Sequence, residues 1–181
     1  MQFHRLAIPD LLLITPNTIE DDRGFFYESY NALEFESAVG KQTNFVQDNH
    51  SKSVKGALRG LHYQLPPHAQ GKLVRVTKGE VFDVVVDIRK SSSTFGQWVG
   101  EVLSDVNKKQ LWIPPGFAHG FLTLSEVSEF QYKTTSHYYS ECERCILWND
   151  PEIAVKWPLS YPPILSLKDQ EGCALFQADL F

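Results

Sequence analysis

The sequence contains no long hydrophobic run. No apolar stretch approaches the roughly 20 residues that a membrane-spanning helix requires. The apolar residues 11–14 near the N-terminus are not followed by the small-residue cleavage site that ends a signal peptide. We therefore expect a cytoplasmic protein that has no membrane partner.

Cysteine is also scarce. Three cysteines, an odd number, fit a reducing compartment better than a disulfide framework. Cys142 and Cys145 have CxxC spacing, but a zinc site would need two more ligands, and only His137 lies nearby while Cys173 is distant in sequence. A redox site would need a helix that starts after a strand. The spacing therefore favours thiols that lie in a loop.

A surplus of basic residues is missing as well. The net charge is −5, whereas a general nucleic-acid binder needs an excess of positive charge. We therefore expect no nucleic-acid partner. A small anionic ligand can still bind if its site concentrates positive charge locally.

The chain has no internal repeat, low-complexity tract or linker rich in Pro, Gly and Ser, so we interpret residues 1–181 as one domain. Helical signals are few. Residues 31–39 predict a helix with Asn31 as its N-cap, Glu34 in the reciprocal capping position and Gly40 at its end. Residues 166–171 predict one more helical turn, capped by Ser166.

The rest of the chain is typical of short strands separated by turns. A parallel α/β sheet would need a helical segment between consecutive strands, and the sequence has none there. The series therefore indicates an all-β fold, an antiparallel sandwich or barrel with a few short helices. Alternation of apolar and polar residues predicts strands at residues 72–77, 80–88, 97–103, 110–113, 119–124, 127–135 and 145–148.

The first candidate for chemistry is the segment around His62. Strand alternation predicts that Arg59, Leu61 and Tyr63 face one way and that His62 faces the other. Lys72 begins the next strand. A histidine and a lysine that face one cavity can bind an anion and abstract a proton. The alternative is that His62 is a hydrogen-bonded core histidine.

A second candidate is the Pro-x-Gly-x-x-His arrangement of Pro114, Gly116 and His119, which resembles the second motif of cupin barrels. The alternative is a structural turn with an incidental histidine. Metal-binding cupins carry His-x-His followed by Glu in their first motif, but His62 is followed by Tyr63 and Gln64, with no Glu at the usual spacing. Two histidines are too few for a catalytic metal site. We therefore expect no metal and no other cofactor.

A third candidate is the charged and aromatic segment of residues 20–28. Arg23 lies next to Phe25 and Phe26, and an arginine beside aromatic rings suits a phosphate and a nucleobase. The alternative is a solvated hairpin.

Together these residues resemble the dTDP-4-dehydrorhamnose 3,5-epimerase family. The similarity runs in the family's order from near residue 3 to near residue 170. The matching stretches are Asp22-Arg23-Gly24-Phe25-Phe26 with Glu28, Phe45-Val46-Gln47-Asp48-Asn49-His50-Ser51, Leu58-Arg59-Gly60-Leu61-His62, Gln70-Gly71-Lys72-Leu73-Val74, Gly79-Glu80-Val81-Phe82-Asp83-Val84, Trp112-Ile113-Pro114, Gly116-Phe117-Ala118-His119-Gly120-Phe121, Ile146-Leu147-Trp148-Asn149-Asp150 and Ser166-Leu167-Lys168-Asp169.

The resemblance implies a cupin-type jelly roll, a homodimer, and inversion of C3 and C5 of dTDP-4-dehydro-6-deoxy-D-glucose on the way to dTDP-L-rhamnose. It implies that His62 is the base, that Asp169 partners it, that Tyr132 is the acid and that Lys72 lies near the C4 oxygen of the sugar. The further substrate contacts that it implies are Arg23, Glu28, Gln47, Asn49, Arg59, His119, Glu143 and Lys168.

These residue types suit the chemistry. A proton beside a ketone is acidic because the enolate spreads its charge onto oxygen, so catalysis needs a base at the carbon and positive charge at the oxygen. Inversion requires a second group that returns a proton to the opposite face of the ring. The proton is returned rather than carried away as a hydride, so the scheme needs no cofactor.

Three alternatives stay open. Relatives on this barrel invert only one centre or isomerise a 3,4-ketone, and the single-centre enzymes share the same base and acid. A non-catalytic sugar-nucleotide-binding cupin would lack the complete set of His62, Asp169 and Tyr132. A metal-dependent cupin oxygenase or isomerase would need ligands that this sequence pattern lacks.

Overall fold

Antiparallel strands form most of the structure. The computed structural model describes all 181 residues. Two helices, α1 (Ala32–Val39) and α2 (Leu167–Gln170), and a 3₁₀ turn at Leu175–Gln177 accompany the strands. The strands are β1 (Gln2–Arg5), β2 (Leu12–Thr15), β3 (Ile19–Asp21), β4 (Gly24–Phe26), β5 (Gln47–Val54), β6 (Leu58–Gln64), β7 (Lys72–Lys78), β8 (Glu80–Asp87), β9 (Trp98–Ser104), β10 (Gln110–Ile113), β11 (Phe117–Thr123), β12 (Val127–Thr134) and β13 (Glu143–Cys145).

Two large antiparallel sheets contain eleven of these strands. The first has the order β1-β2-β10-β7-β12-β5 and the second the order β13-β6-β11-β8-β9, while β3 and β4 form a separate hairpin. Strands β7 and β8 are consecutive in the chain but belong to different sheets, and Gly79, with a φ of +76°, makes the turn between them. The predicted all-β jelly-roll class is confirmed.

A hydrophobic core lies between the two sheets. Val74 and Leu111 of the first sheet pack in one cluster with Val85 and Phe121 of the second. Full burial of such a side chain stabilises the fold by about 1.5–3 kcal/mol. The sheets are therefore held face to face, and they enclose the interior in which the candidate site lies.

Strand β8 is buried on both faces. Val85 faces the core between the sheets, whereas Val84 and Val86 pack outside it against Leu175 of the C-terminal segment. The alternation predicted for residues 80–88 is therefore present. It places Asp83 on the same inward face as Val85, where the carboxylate has no exposed surface.

Helix α1 begins and ends where the sequence predicts. The Asn31 side chain accepts hydrogen bonds from the second and third helical N–H groups, and Gly40 closes the helix at a φ of +79°. The expected reciprocal role of Glu34 is wrong. Its carboxylate instead pairs with the α-amino group of Met1 at 2.9 Å, because β1 brings the chain start beside the helix.

Strand β6 does not keep the strict alternation that the sequence predicts. Against β11, His62 pairs with His119 but Arg59 pairs with Phe121, so β6 uses three residue steps where β11 uses two. Such a bulge moves the following side chains to the other face. Arg59 therefore lines the same cavity as His62, not the opposite face.

Several strands were not predicted, and one was misplaced. Strands β1, β2 and β5 have no clear alternation of apolar and polar residues, and β5, which is almost entirely polar, is the edge of the first sheet. The strand predicted at residues 145–148 instead occupies Glu143–Cys145. After Cys145, Ile146 still exchanges backbone hydrogen bonds with Leu61 and forms an isolated bridge to Cys173, but the strand does not continue to Trp148. No helix is both long and apolar enough to cross a membrane.

Candidate active site

One polar cavity of about 580 Å³ opens between the sheets, a size typical of small-molecule sites. The core residues Phe121 and Phe130 form part of its wall. Of the twelve residues predicted to act in catalysis or binding, eight line this cavity: Arg59, His62, Lys72, His119, Tyr132, Glu143, Lys168 and Asp169.

The cavity contains a histidine–carboxylate pair. His62 Nε2 lies 2.7 Å from Asp169 Oδ1. Asp169 also accepts hydrogen bonds from the Gly60 N–H and from the Ser166 side chain and N–H, and the last of these completes the capping box of α2. The predicted helical turn with Ser166 as its cap is thus confirmed, and the cap also positions the carboxylate.

The charge of Asp169 determines which nitrogen of His62 carries the proton. Burial raises the pKa of Asp169, but the hydrogen bonds from His62, Ser166 and Gly60 outweigh it and hold that pKa at about 2. An ionised carboxylate can only accept, so Nε2 of His62 donates to it. Nδ1 then keeps its lone pair, and it has no hydrogen-bond partner. The nearest carboxylate oxygen to it, Glu143 Oε1, is 3.9 Å away. This nitrogen is equipped to accept a proton.

Lys72 supplies positive charge beside that base. Its Nζ donates to the backbone carbonyl of His62 at 3.3 Å. Burial lowers the pKa of Lys72 to about 8, although the charges of Asp83 and Glu143 oppose the shift. The ammonium is therefore charged at neutral pH and can stabilise an oxyanion.

A second histidine–carboxylate pair faces the same cavity. His119 is paired with His62 across β6 and β11, and its Nε2 lies 2.9 Å from Asp83 Oδ2. Burial raises the pKa of Asp83, and the neighbouring His119 and Lys72 oppose that rise. Asp83 does not itself line the cavity, but it bonds to His119, which does, and it was not predicted as a functional residue. Its place among the apolar residues Phe82 and Val84 was the signal that could have found it.

Tyr132 lies across the cavity from His62, because β12 belongs to the first sheet and β6 to the second. Burial, followed by the negative charge of Glu143, raises the pKa of Tyr132. Its hydroxyl therefore stays protonated at neutral pH. The cavity thus has a basic nitrogen on one wall and a proton donor on the other.

Glu143 is held by two donors at the rim of the cavity. Its Oε2 accepts from the Tyr138 hydroxyl at 2.7 Å and from Lys168 Nζ. Burial raises the pKa of Glu143, but these two hydrogen bonds more than compensate and leave it lowered. Tyr138 lines the cavity but was not predicted from the sequence, because it lies in an irregular segment without alternation.

Four predicted contacts lie outside the cavity lining. Arg23 is at the tip of the β3–β4 hairpin, where its side chain is 90% exposed and pairs with Asp21. Glu28 follows the hairpin and accepts from Asn31 Nδ2 at 3.4 Å. A single chain therefore does not bring Arg23 and Glu28 to the site.

Gln47 and Asn49 lie on the edge strand β5. Their side chains bond to each other at 2.9 Å, and Gln47 also accepts from the Tyr138 N–H. Asn49 borders a smaller hollow of about 230 Å³, which Tyr132 also lines. These two residues are next to the cavity wall rather than part of it.

The prediction that the CxxC thiols lie in a loop is right for Cys142, which lies in a turn, and wrong for Cys145. Cys145 lies in strand β13 rather than in a loop, and it pairs with His62 of β6. Donor atoms of Cys145, His62 and Asp169 all lie within 4.8 Å of one another. These three residues are far apart in sequence, so no local motif indicates the group.

The chain is similar to proteins of one family. A family model described as dTDP-4-dehydrorhamnose 3,5-epimerase matches residues 5–177. The dTDP-4-dehydrorhamnose 3,5-epimerase of Pseudomonas aeruginosa is 61% identical over 181 residues, which cover 100% of this chain and 99% of that one. The dTDP-4-dehydrorhamnose 3-epimerase of Streptomyces niveus is 36% identical, with 98% of this chain and 86% of that one covered.

A solved structure shows the same fold. The dTDP-6-deoxy-D-glucose-3,5-epimerase of Legionella pneumophila, in complex with dTDP-4-keto-L-rhamnose, superposes with a TM-score of 0.95. The two sequences are 51% identical, and the match covers 98% of this chain and 94% of that one.

Proposed function

The chain belongs to the dTDP-4-dehydrorhamnose 3,5-epimerase family, and we propose that it inverts C3 and C5 of dTDP-4-dehydro-6-deoxy-D-glucose to give dTDP-4-dehydro-L-rhamnose. The observation that carries the proposal is the pairing of His62 with Asp169 on one wall of the cavity, opposite Tyr132 on the other. The reaction is an isomerisation within carbohydrate biosynthesis.

In the proposed mechanism, Nδ1 of His62 takes the proton from the carbon beside the C4 ketone. The resulting imidazolium is stabilised by the Asp169 carboxylate, which accepts from Nε2. The enolate oxygen at C4 then lies near the Lys72 ammonium. Its charge is stabilised in a partly enclosed site, where electrostatic interactions are stronger than in bulk water.

Tyr132 then donates a proton to the opposite face of the same carbon. Because its pKa is raised, the Tyr132 hydroxyl stays protonated and can donate its proton to the carbanion. Before the second centre reacts, the His62 imidazolium releases the proton that it removed to solvent, and the Tyr132 phenolate takes up a proton from solvent to replace the one that now forms the new C–H bond. No hydride and no electron leave the substrate, so we propose that the enzyme works without a cofactor.

Positive groups at the rim of the cavity suit the diphosphate of the substrate. Arg59 is held by Ser53 Oγ at 3.0 Å, and Lys168 is held by Glu143. Arginine forks bind phosphate oxygens with paired donors. We assign Arg59 and Lys168 to binding of the diphosphate, and His119 and Glu143 to contacts with the sugar. These local positive charges explain how a protein of net negative charge can bind an anionic ligand.

We also propose that the enzyme is a homodimer in which Arg23 and Glu28 act on the partner's substrate. The β3–β4 hairpin exposes Ile19, Phe25 and Phe26 side by side, and contiguous exposed apolar side chains mark interaction surfaces. We propose that Gln47 and Asn49, which lie on the edge strand β5 beside the cavity, contact the nucleotide of the substrate. We further infer that residues 1–181 form a single domain, since the second core cluster joins Leu61 to Phe181. We also propose a cytoplasmic location, since three cysteines fit a reducing compartment.

The test is proton NMR of dTDP-4-dehydro-6-deoxy-D-glucose with the purified, metal-stripped enzyme in D₂O. Deuterium entering at both C3 and C5, and an L-rhamnose product after reduction by a trapping reductase, supports double inversion. Exchange at neither carbon by a folded protein contradicts the proposal and favours a binding module.

A single-centre epimerase is the second candidate, because a relative named as a 3-epimerase matches 98% of this chain. In the same NMR experiment it would introduce deuterium with inversion at one carbon only.

A further inference from the structure

We propose that His62, Cys145 and Asp169 form an inhibitory binding site for a thiophilic divalent cation such as Zn²⁺ or Cd²⁺. The three side chains come from β6, β13 and α2. The binding of the ion is independent of the proposed function. Its effect on turnover rests on that function.

The fold brings the donor atoms of these three side chains close together. Cys145 and His62 are direct partners in the antiparallel pair of β13 and β6, so their side chains project from the same face. Asp169 reaches the same place from α2, with its Oδ1 2.7 Å from His62 Nε2. A ring nitrogen, a sulfur and a carboxylate oxygen thus lie within 4.8 Å of one another.

The spacing is close to that of a zinc site. Zinc bonds of about 2.0–2.3 Å in a tetrahedral arrangement separate neighbouring ligand atoms by about 3.3–3.8 Å. The separations that involve Cys145 Sγ therefore have to contract by no more than about 1.5 Å, whereas His62 Nε2 and Asp169 Oδ1, which lie 2.7 Å apart, have to open by about 0.6 Å or more. Rotation of the half-buried Cys145 side chain supplies such a movement without displacing the backbone.

The donor types also match the ion. Imidazole nitrogen, thiolate and carboxylate are the three ligands that zinc uses in proteins, and three protein ligands leave the fourth position for water. Asp169 already carries a negative charge, and Glu143 lies 3.9 Å from His62. Lys72 and Lys168 also line this cavity, so the attraction for the ion comes from the Asp169 carboxylate and from the sulfur of Cys145.

Binding of the ion would block the base. The metal bonds to Nε2 of His62, whose proton moves to Nδ1. Burial raises the pKa of the Cys145 thiol to about 12, so this thiol releases its proton to solvent only as its sulfur bonds to the metal. A neutral imidazole with metal on Nε2 carries its only proton on Nδ1. The nitrogen proposed to abstract the substrate proton then has no free lone pair.

The binding test uses Co²⁺ as a spectroscopic probe of the metal-stripped full-length chain. We expect intense visible bands of tetrahedral Co²⁺ and a near-ultraviolet thiolate-to-cobalt band. Cys145→Ser should weaken binding at least about tenfold, since even groups outside the ligand shell change affinity by about 10–100-fold. Cys142→Ser is the matched control and should bind like the unmodified chain. Equal binding by Cys145→Ser, or no thiolate band at all, would overturn the proposal.

The activity test adds Zn²⁺ to the same three proteins. The unmodified chain and Cys142→Ser should lose turnover and recover it with a chelator, whereas Cys145→Ser should need at least about tenfold more Zn²⁺ for the same loss. Retained turnover in a chain saturated with metal would overturn the inhibition. A protein that binds Co²⁺ as expected but never epimerises the substrate would contradict the proposed function and leave the metal site standing.

Discussion

At the scale of single residues, the environment of His62 determines what the cavity can do. Hydrogen bonds hold the pKa of Asp169 at about 2, so its carboxylate is ionised at neutral pH and acts as an acceptor. It therefore holds the Nε2 proton of His62 and leaves Nδ1 unpartnered. The direction of proton transfer is set by this one tautomer.

Replacing His62 with Asn should remove the base and retain much of the shape of the site. We expect turnover to fall by at least about 10²-fold, within the range that general bases contribute. Calorimetric titration with dTDP should give an affinity close to that of the unmodified enzyme, because the nucleotide contacts lie elsewhere. Substantial residual turnover would remove His62 from the role of base.

Replacing Tyr132 with Phe should separate the two half-reactions. The base remains, so deuterium should still enter from D₂O, but inversion should slow more than exchange because the opposite face lacks its proton donor. NMR measures both rates in one sample. If Tyr132→Phe inverted both centres at the normal rate, the assignment of the acid would be wrong.

Lys72 predicts an alkaline limit to activity. Its pKa is lowered to about 8, so the ammonium is lost as the pH rises through about 8, well before an ordinary lysine would lose it. Turnover should therefore fall above pH 8, whereas Tyr132, with its raised pKa, titrates later. Lys72→Arg keeps the positive charge, so the fall in turnover should move to higher pH in this variant even if the rate is lower. If turnover fell at the same pH in Lys72→Arg, the loss of activity would be due to another titrating group.

At the scale of elements, the pairing of β6 with β11 positions His62. The two strands approach closely at Gly120, where an added Cβ would lie 2.6 Å from the carbonyl oxygen of Arg59 and 3.0 Å from the Cα of Gly60. Both contacts are with backbone, which cannot move aside as a side chain can. The bulge that turns Arg59 towards the cavity thus depends on a glycine in the neighbouring strand.

Gly120→Ala should force β6 away from β11. We expect a loss of about 1–3 kcal/mol in the free energy of unfolding, the usual cost of overpacking, together with lower turnover because His62 moves with its strand. Urea unfolding and the NMR assay measure the two effects. The exposed Val106→Ala is the control and should change stability by less than about 0.5 kcal/mol. Unchanged stability with full activity in Gly120→Ala would mean that the strands tolerate the extra methyl group.

At the scale of the whole molecule, a single chain leaves two of the predicted substrate contacts, Arg23 and Glu28, outside the cavity. The cavity holds the predicted base, acid and lysine, but Arg23 and Glu28 lie on and beside a hairpin whose apolar residues face solvent. A second copy of the chain would cover those apolar side chains, and Arg23 would then reach the cavity of that second copy. Assembly and substrate binding are therefore expected to depend on the same hairpin.

Phe26→Asp should weaken the proposed dimer. Phe26 is 68% exposed in the single chain, and a charge there would have to be desolvated in an interface. Light scattering after size exclusion should show a shift towards monomer, with weaker dTDP binding. Val106→Asp, at a site 85% exposed on another turn, should leave the mass unchanged. A monomeric mass for the unmodified chain would contradict the homodimer.

The sequence by itself determined the local features. Alternation of apolar and polar residues was enough to predict the central strands, because a period of two is a property of each strand alone. Asn31, Gly40 and Ser166 predicted both helices, because capping uses only neighbouring residues. The family motifs also named the eight predicted residues that line the cavity.

Only the tertiary structure decided on which face of a sheet some side chains lie and which residues they contact. Arg59 changes face because of a bulge between β6 and β11, and a shift of one residue in pairing reverses every side chain beyond it. Cys145 and Asp83 join the site through partners that are far apart in sequence. Such contacts depend on the register of distant strands, which is set by the packing of the whole sandwich rather than by any local pattern.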